Sequence, residues 1–410
     1  MLLYQRIVRK IRSEFIAVKA RNILKKRYMA DEETAESYES EYQENRDYSQ
    51  YHTDIKTLAF YLPQFHTFPE NDAWWGKGFT EWTNTKKSQP RFKGHYQPRI
   101  PHSDIGYYDL SRPEGIEQQV RLAKQHKVYG FCFYYYWFSG KKLMEKPLDI
   151  LMKRPDLDIH FCICWANENF TKVWDGSDRE ILMEQKYEEK DPAAFIADLK
   201  RYMSDPRYIR VDGKPVLMIY NMGSIPKLRS TIKAWRREAK EQGIGEILIW
   251  MCRTANNTAT VLNVNRFVDA EVEFPPHGMW WKAITEQNMA DKDAHIFDYQ
   301  KLTDVLTERL YREKIRTNKK IYHTCMMGWD NSCRRKTGWT VYHRYSLNAF
   351  SEWLKAAVAA TRKQNSVEER FLFINAWNEW GEGTYLEPDE KYGYANINTL
   401  SDAICQKDEL

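Results

Sequence analysis

Two glutamates three residues apart, Glu379 and Glu382 in Asn378-Glu379-Trp380-Gly381-Glu382-Gly383-Thr384, are the residues best suited to chemistry in this chain. Making or breaking a glycosidic bond needs one carboxyl to protonate the leaving oxygen and a second to act as base or nucleophile. The departing alkoxide is poor and the transition state is oxocarbenium-like. Mutual repulsion and the apolar neighbours Trp377 and Trp380 raise one of the two toward the pKa of a working acid. Gly381 and Gly383 let the backbone turn tightly beside a substrate. The same spacing also suits a capped or salt-bridged pair at a helix start, so position in the fold decides between the two readings.

The elements that position this pair follow from periodicity. Apolar runs rich in β-branched and aromatic residues recur at 58–62, 129–137, 160–165, 215–220, 246–251, 268–272, 321–327 and 371–376. Amphipathic segments at 112–125, 192–203, 225–242, 299–312 and 347–363 lie between them, giving a strand and helix alternation. Runs that are apolar almost without alternation suit a parallel sheet covered on both faces. Eight such units predict an α/β fold, a (β/α)8 TIM barrel, over residues 55–400. Residues 1–54 read as a basic amphipathic helix followed by an acidic linker, and 401–410 as a C-terminal tail.

In such a barrel the active site forms where the strands end. Those positions hold polar residues beside indole and phenol rings: Tyr61, Gln64 and His66; Tyr136 and Trp137; Trp165, Asn167 and Glu168; Trp329; and Asn378 and Trp380 around the glutamates. These are the candidate substrate contacts, with Trp75 in a glycine-interrupted aromatic block, 74–82, that reads as a substrate-covering flap or a Trp-anchored structural loop. The 15 Trp and 26 Tyr exceed what packing needs and suit a sugar site. Glu168 and Asp175 either bind hydroxyls or pair with Lys172 and Arg179.

No metal site is expected, because His66, His277, His323 and His343 are scattered. No cofactor is expected either: there is no G-x-G-x-x-G after a strand and no phosphate-cradling P-loop. Asp156-Leu157-Asp158 precedes the third run and falls on the wrong face for catalysis. A net charge of +5 over 410 residues argues against nucleic acid as a partner. Five of the seven cysteines sit in apolar runs, which points to reduced thiols and a cytoplasmic protein. Residues 1–28 hold nine Lys or Arg against Glu14 alone, a helix suited either to an anionic membrane surface or to docking on its own body. The terminal Lys407-Asp408-Glu409-Leu410 reads as a coincidental match to a retention signal.

Five blocks in order carry a family resemblance: Tyr61-Leu62-Pro63-Gln64-Phe65-His66, Trp75-Gly76-Lys77-Gly78-Phe79-Thr80-Glu81-Trp82, Tyr135-Tyr136-Trp137-Phe138-Ser139-Gly140-Lys141, Trp165-Ala166-Asn167-Glu168-Asn169, and the run from Asn378 to Pro388. Over residues 57–395 the chain resembles the WbsX-type family of bacterial surface-polysaccharide biosynthesis proteins, related to glycoside hydrolase family 99, the endo-α-mannosidases. The resemblance implies a barrel in which Glu379 assists the substrate's own 2-hydroxyl in attacking the anomeric carbon and Glu382 is the acid/base. Gly381 stands where the hydrolases carry a histidine, so mannose is only a first expectation for the sugar. The implied substrate is an oligosaccharide or lipid-linked glycan. Three functions stay open: a retaining hydrolase or transglycosylase, a sugar-nucleotide-dependent glycosyltransferase, and a non-catalytic glycan-binding scaffold.

Overall fold

The computed structural model describes residues 41–172, 177–254, 257–277, 294–312 and 320–405. Eight parallel strands form its centre: β1 Lys56–Tyr61, β2 Gly130–Phe138, β3 His160–Trp165, β4 Lys214–Ile219, β5 Leu248–Arg253, β6 Ala270–Glu273, β7 in two pieces, Lys320–Tyr322 and Thr324–Met326, and β8 Phe371–Asn375. Each strand pairs with the next from β1 to the first piece of β7. The second piece of β7 pairs with β8, and β8 returns to β1, which completes the circuit of the expected (β/α)8 barrel.

Helices Pro113–Gln125, Lys146–Lys153, Asp191–Met203, Leu228–Glu241, Tyr299–Arg312, Leu347–Gln364 and Ala395–Ile404 follow β1, β2, β3, β4, β6, β7 and β8. Between β5 and β6 the described residues form turns and no helix. The strands are buried on both faces, which is why their sequences run apolar without alternation.

Side-chain direction along these strands still alternates with period two. Trp137 and Trp165 pack on Phe195 of the helix layer, Trp165 also meets Trp235, and the Tyr61 hydroxyl donates to Gln119 on a helix. Phe60, Tyr134, Tyr220 and Phe274 instead meet one another in the lumen. Tyr61, Trp137 and Trp165 therefore fill the layer between strands and helices instead of lining the mouth.

Three asparagines tie the loops at the strand ends. Asn378 accepts from the Leu62 N–H at 2.7 Å and donates to the Leu62 carbonyl at 2.9 Å, joining the ends of β8 and β1. Asn167 does the same for Asn221, accepting its N–H at 2.8 Å and donating to its carbonyl at 2.6 Å. Asn257 donates to the carbonyls of Tyr220 and Cys252 and accepts from Gly223. A primary amide suits this work because it offers an acceptor and two donors from one planar group.

The body begins before residue 55. Gln43 exchanges backbone hydrogen bonds with Tyr392 and Tyr394, and the Tyr48 hydroxyl donates to Asp402 at 2.6 Å, so the stretch from Gln43 onward lies against the last helix and is not a solvated linker. Ser401 and Ile404 of that helix are fully buried, so the fold extends past residue 400. Residues 1–28 and the terminal 407–410 lie outside the described residues. Among the described residues no helix is long and apolar enough to cross a membrane.

The Asn378 clamp predicts a stability effect. Asn378→Ala leaves the buried Leu62 N–H and carbonyl unpaired and is expected to lower unfolding free energy by roughly 2–5 kcal/mol. Chemical denaturation measures it, and an unchanged midpoint contradicts the clamp.

Candidate active site

After β8 the chain makes a short antiparallel pairing of Asn378–Glu379 with Thr384–Tyr385, closed by the turn Trp380–Glu382 and by Gly383 at φ +61°. This turn holds Glu379 and Glu382 at the C-terminal end of the barrel, and between them comes an arginine from the loop after β7. Arg334 Nη1 donates to Glu382 Oε1 at 2.6 Å and Nη2 to Glu379 Oε2 at 2.8 Å. The same guanidinium reaches a third carboxylate, Glu81, with Nη2 at 2.7 Å and Nε at 3.2 Å. Glu81 is the first residue of helix Glu81–Lys87 and is completely buried.

One guanidinium cannot neutralise three buried carboxylates. Burial pushes Glu81 and Glu379 up to about 7, against the lowering pull of Arg334. Negative neighbours add to the rise: Glu379 for Glu81, and Glu382 for Glu379. Glu382 is also raised by burial, with Arg334 opposing. Glu81 Oε2 is buried with no hydrogen-bond partner. Arg334 stays charged, held so by Glu81, Glu382 and Glu379 against the cost of its burial. The cluster thus stores exchangeable protons near neutrality, which acid–base work requires. Side-chain exposure is 24% for Glu382 and 6% for Glu379, so Glu382 is the member open to an approaching ligand.

Tyr385 and Glu387 steady the turn. The Trp380 ring stacks on Tyr385 with centroids 3.8 Å apart and 13° between planes, and its indole N–H donates to Glu387 at 2.7 Å. Glu387 also accepts from Tyr108 and Gln119, each at 2.8 Å, and burial pushes its carboxyl up to about 7.

Comparison with known proteins gives the family and the fold. The family model described as Glycosyltransferase WbsX matches residues 57–400. The chain belongs to the WbsX family. Proteins described as "Uncharacterized protein WxcX", from two strains of Xanthomonas campestris pv. campestris, are 38% identical over 362 residues, 86% of this chain and 50% of theirs. The chain therefore spans about half the length of the curated relatives it matches. A solved structure titled "Glycoside hydrolase-like protein" superposes with a TM-score of 0.57 at 15% identity, covering 90% of this chain and 97% of that one. The family 99 endo-α-mannosidase of Bacteroides thetaiotaomicron, complexed with bis-tris-propane, gives 0.51 at 14% identity over 85% and 96% of the two chains. These likenesses concern the fold.

The glycine between the two glutamates has a local cause. A Cβ on Gly381 meets Glu81 Oε1 at 1.9 Å and Arg334 Nε at 2.6 Å. Any side chain there displaces the ion cluster, so Gly381 and the Glu81–Arg334 pair are one feature. Neither Glu81 nor Arg334 was among the residues expected from sequence. Glu81 lies in the block that suits either a flap or a Trp-anchored structural loop, and the structure forms helices Pro69–Trp75 and Glu81–Lys87 around a short link there. Arg334 opens the run Arg334-Arg335-Lys336, which has the look of a solvated basic surface.

Of the expected contacts, Tyr136 comes to the carboxylates: burial and then the charge of Glu379 raise its phenol. Trp329 lines the lumen side beside His277, with ring centroids 6.3 Å apart. Glu168 stands at the rim and accepts from Asn221 at 2.9 Å. Gln64 is buried and faces Asn71; His66 donates from Nδ1 to the Pro63 carbonyl, and burial lowers its pKa. Trp75 stacks on Phe79 with its indole N–H buried and unsatisfied. Asn378, Asn167 and Trp380 hold the loops in shape, while Tyr61, Trp137 and Trp165 are not brought to the site. Asp156 and Asp158 pair with Arg154 and Lys124 away from it, and Asp175 lies outside the described residues. Among the described residues no three or more His, Cys, Asp or Glu converge as metal ligands.

The shifts predict the pH dependence of stability. Glu81, Glu379 and Glu387 have folded pKa values of about 7 against an ordinary 4.5, so the stability they contribute at low pH is lost as pH rises through that interval. Asp330 and Glu273, held at about 2, contribute stability that is lost as pH falls below their ordinary 3.8 and 4.5. Melting temperature is expected to peak near about pH 5 and decline toward neutrality, with a shallower decline in Glu81→Gln. A flat profile between about pH 5 and 7 contradicts these shifts.

Proposed function

We propose that this chain is a carbohydrate-active enzyme that makes or breaks a glycosidic bond in surface-polysaccharide metabolism, with Glu379 and Glu382 as its catalytic carboxylates. The observation that carries this is the buried ion cluster: two carboxyls on one turn, at the mouth of a barrel, whose burial keeps protons on the cluster near neutral pH. Membership of the WbsX family and the glycoside hydrolase-like fold support it.

In the step proposed, Glu379 takes the proton of the substrate's 2-hydroxyl as that oxygen bonds to the anomeric carbon. The bond to the leaving oxygen breaks, and Glu382 gives that oxygen its proton. A three-membered 1,2-anhydro sugar results. Glu382, now a carboxylate, deprotonates water or an acceptor hydroxyl, whose oxygen opens the ring at the anomeric carbon, and O2 recovers its proton from Glu379. Configuration is retained by two inversions. Arg334 offsets charge on both carboxylates through the cycle, and the 2.6 Å contact to Glu382 lengthens when that group carries its proton.

Water as acceptor gives hydrolysis; a sugar hydroxyl gives transfer. The family description favours transfer, and donation from a nucleotide sugar is a second reading on that ground alone. Saturable calorimetric binding of a nucleotide sugar would favour it.

The test uses an oligosaccharide or lipid-linked glycan that the protein turns over. Glu379→Gln and Glu382→Gln are each expected to slow turnover by about 10²–10⁴-fold, and a substrate lacking the 2-hydroxyl is expected to be inert. Turnover unchanged in Glu382→Gln contradicts the assignment. We also propose that residues 1–28, with nine basic residues, hold the protein on anionic membranes. Vesicle sedimentation is expected to recover the full chain but not one lacking these residues, with recovery falling as salt rises.

A further inference from the structure

Behind the catalytic turn, on the far side of the Trp380–Tyr385 stack, lies a second cavity of about 490 Å³ that includes neither Glu379 nor Glu382 in its wall. Tyr96, Tyr342, Tyr345, Tyr385 and Tyr392 line it, with Arg99 and Lys391 among them. Flat phenol faces with hydroxyl edges suit a ligand that is part apolar and part hydroxylated.

The charges in this wall are unevenly matched. Asp330 spends its oxygens on His95 at 2.8 Å, Gln97 at 2.7 Å and the Ser332 N–H at 3.0 Å, and stands 3.8 Å from Arg99. Nearby Asp389 accepts from Tyr385, Tyr96 and the Tyr392 N–H, and Glu41 accepts from the Leu347 N–H. Arg344 engages Asp298. Arg99 keeps an ion pair with Asp330 at 3.8 Å and donates from Nη1 to the Tyr385 hydroxyl at 3.4 Å, yet two donors of this wall have no anion. Arg99 Nε is buried with no acceptor, and Lys391 rests on the Tyr96 and Tyr392 faces, 4.6 and 4.8 Å from their centroids, with no ion pair among the described residues. Arg99 also leans on the Tyr96 ring, at 4.9 Å. Burial and then the charge of Arg99 lower the Lys391 pKa, with Asp389 and Glu41 opposing.

Arg99 is built into this wall. Gly383 has a left-handed φ of +61°, and a Cβ there meets Arg99 Nε at 2.9 Å. The glycine that closes the catalytic turn is thus also the glycine that leaves room for the arginine.

We propose that this cavity is a second binding site, which takes an anionic saccharide: a sugar whose carboxylate or phosphate ester engages Arg99 and Lys391 while its ring lies among the tyrosines. The anion requirement rests on Lys391, which has no ion pair among the described residues, and on the Arg99 Nε–H, which has no acceptor. The saccharide requirement rests on the glycan reading of the catalytic turn. Since no catalytic glutamate lines the cavity, binding here and chemistry there are separable.

Calorimetry on the full chain tests this with four probes: glucose, glucuronic acid, glucose 1-phosphate and inorganic phosphate. Saturable binding of glucuronic acid or glucose 1-phosphate is expected, at least about tenfold tighter than glucose, and the stronger of the two identifies the anion as carboxylate or phosphate. Lys391→Gln, at an exposed position, should weaken that binding by about tenfold or more, and Arg99→Gln should do likewise. Glu382→Gln should leave it unchanged while abolishing turnover. Binding by none of the probes, binding untouched by Lys391→Gln, or binding lost in Glu382→Gln overturns the site. Inorganic phosphate binding as tightly as either charged sugar overturns the saccharide half. Failure of turnover with binding intact counts against the proposed chemistry and leaves this site standing.

Discussion

Arg334 sits between three glutamates drawn from two distant parts of the chain, and the geometry of the barrel mouth is arranged around that contact. Burying a carboxylate costs several kcal/mol even after relaxation, and one guanidinium offsets only part of the cost for three. The remainder shows as raised pKa values, about 7 for Glu81 and Glu379. A site that must both give and take a proton needs that intermediate state: an isolated exposed glutamate is fully ionised at neutrality, and one buried without a cation is fully protonated. Removing Arg334 leaves uncompensated buried charge, while removing Glu81 frees the arginine to neutralise Glu379 and Glu382 more completely.

Much of the surrounding structure follows from this requirement. Gly381 is small because Glu81 and Arg334 occupy the space its side chain would take. Asn378 precedes Glu379 and fastens the end of β8 to the end of β1, so the turn cannot drift from the helix that carries Glu81. Trp380 is locked by Tyr385 on one face and by Glu387 at its indole nitrogen, which leaves the backbone on either side of it little freedom. The motif residues flanking the glutamates are scaffold, and the glutamates are what the scaffold presents.

The barrel was legible in the sequence because eight unalternating apolar runs can hardly be buried another way, and their boundaries fall within a few residues of the strands. The position of Glu379 and Glu382 at the barrel mouth was legible from their place after the last run. Side-chain direction at the strand ends was harder: Tyr61, Trp137 and Trp165 each lie at a strand terminus, yet a one-residue change of phase decides between mouth and helix layer. The asparagines read as ligands because an amide suits a sugar hydroxyl and a backbone clamp equally well. Arg334 was hidden for a different reason. It stands 253 residues from Glu81 and 45 from Glu379 along the chain, and only the closed barrel brings them together.

The most direct test of the shared-arginine cluster is a carbon-13 titration of glutamate side-chain carboxyls in the intact chain, with Glu379 and Glu81 assigned through their glutamine variants. Both are expected to titrate near 7 in the native protein, and both to move higher in Arg334→Met, where the guanidinium that bridges Glu81, Glu379 and Glu382 is gone. Titration of both near the ordinary 4.5, or values indifferent to Arg334→Met, would contradict the view that one arginine sets the proton inventory of this site.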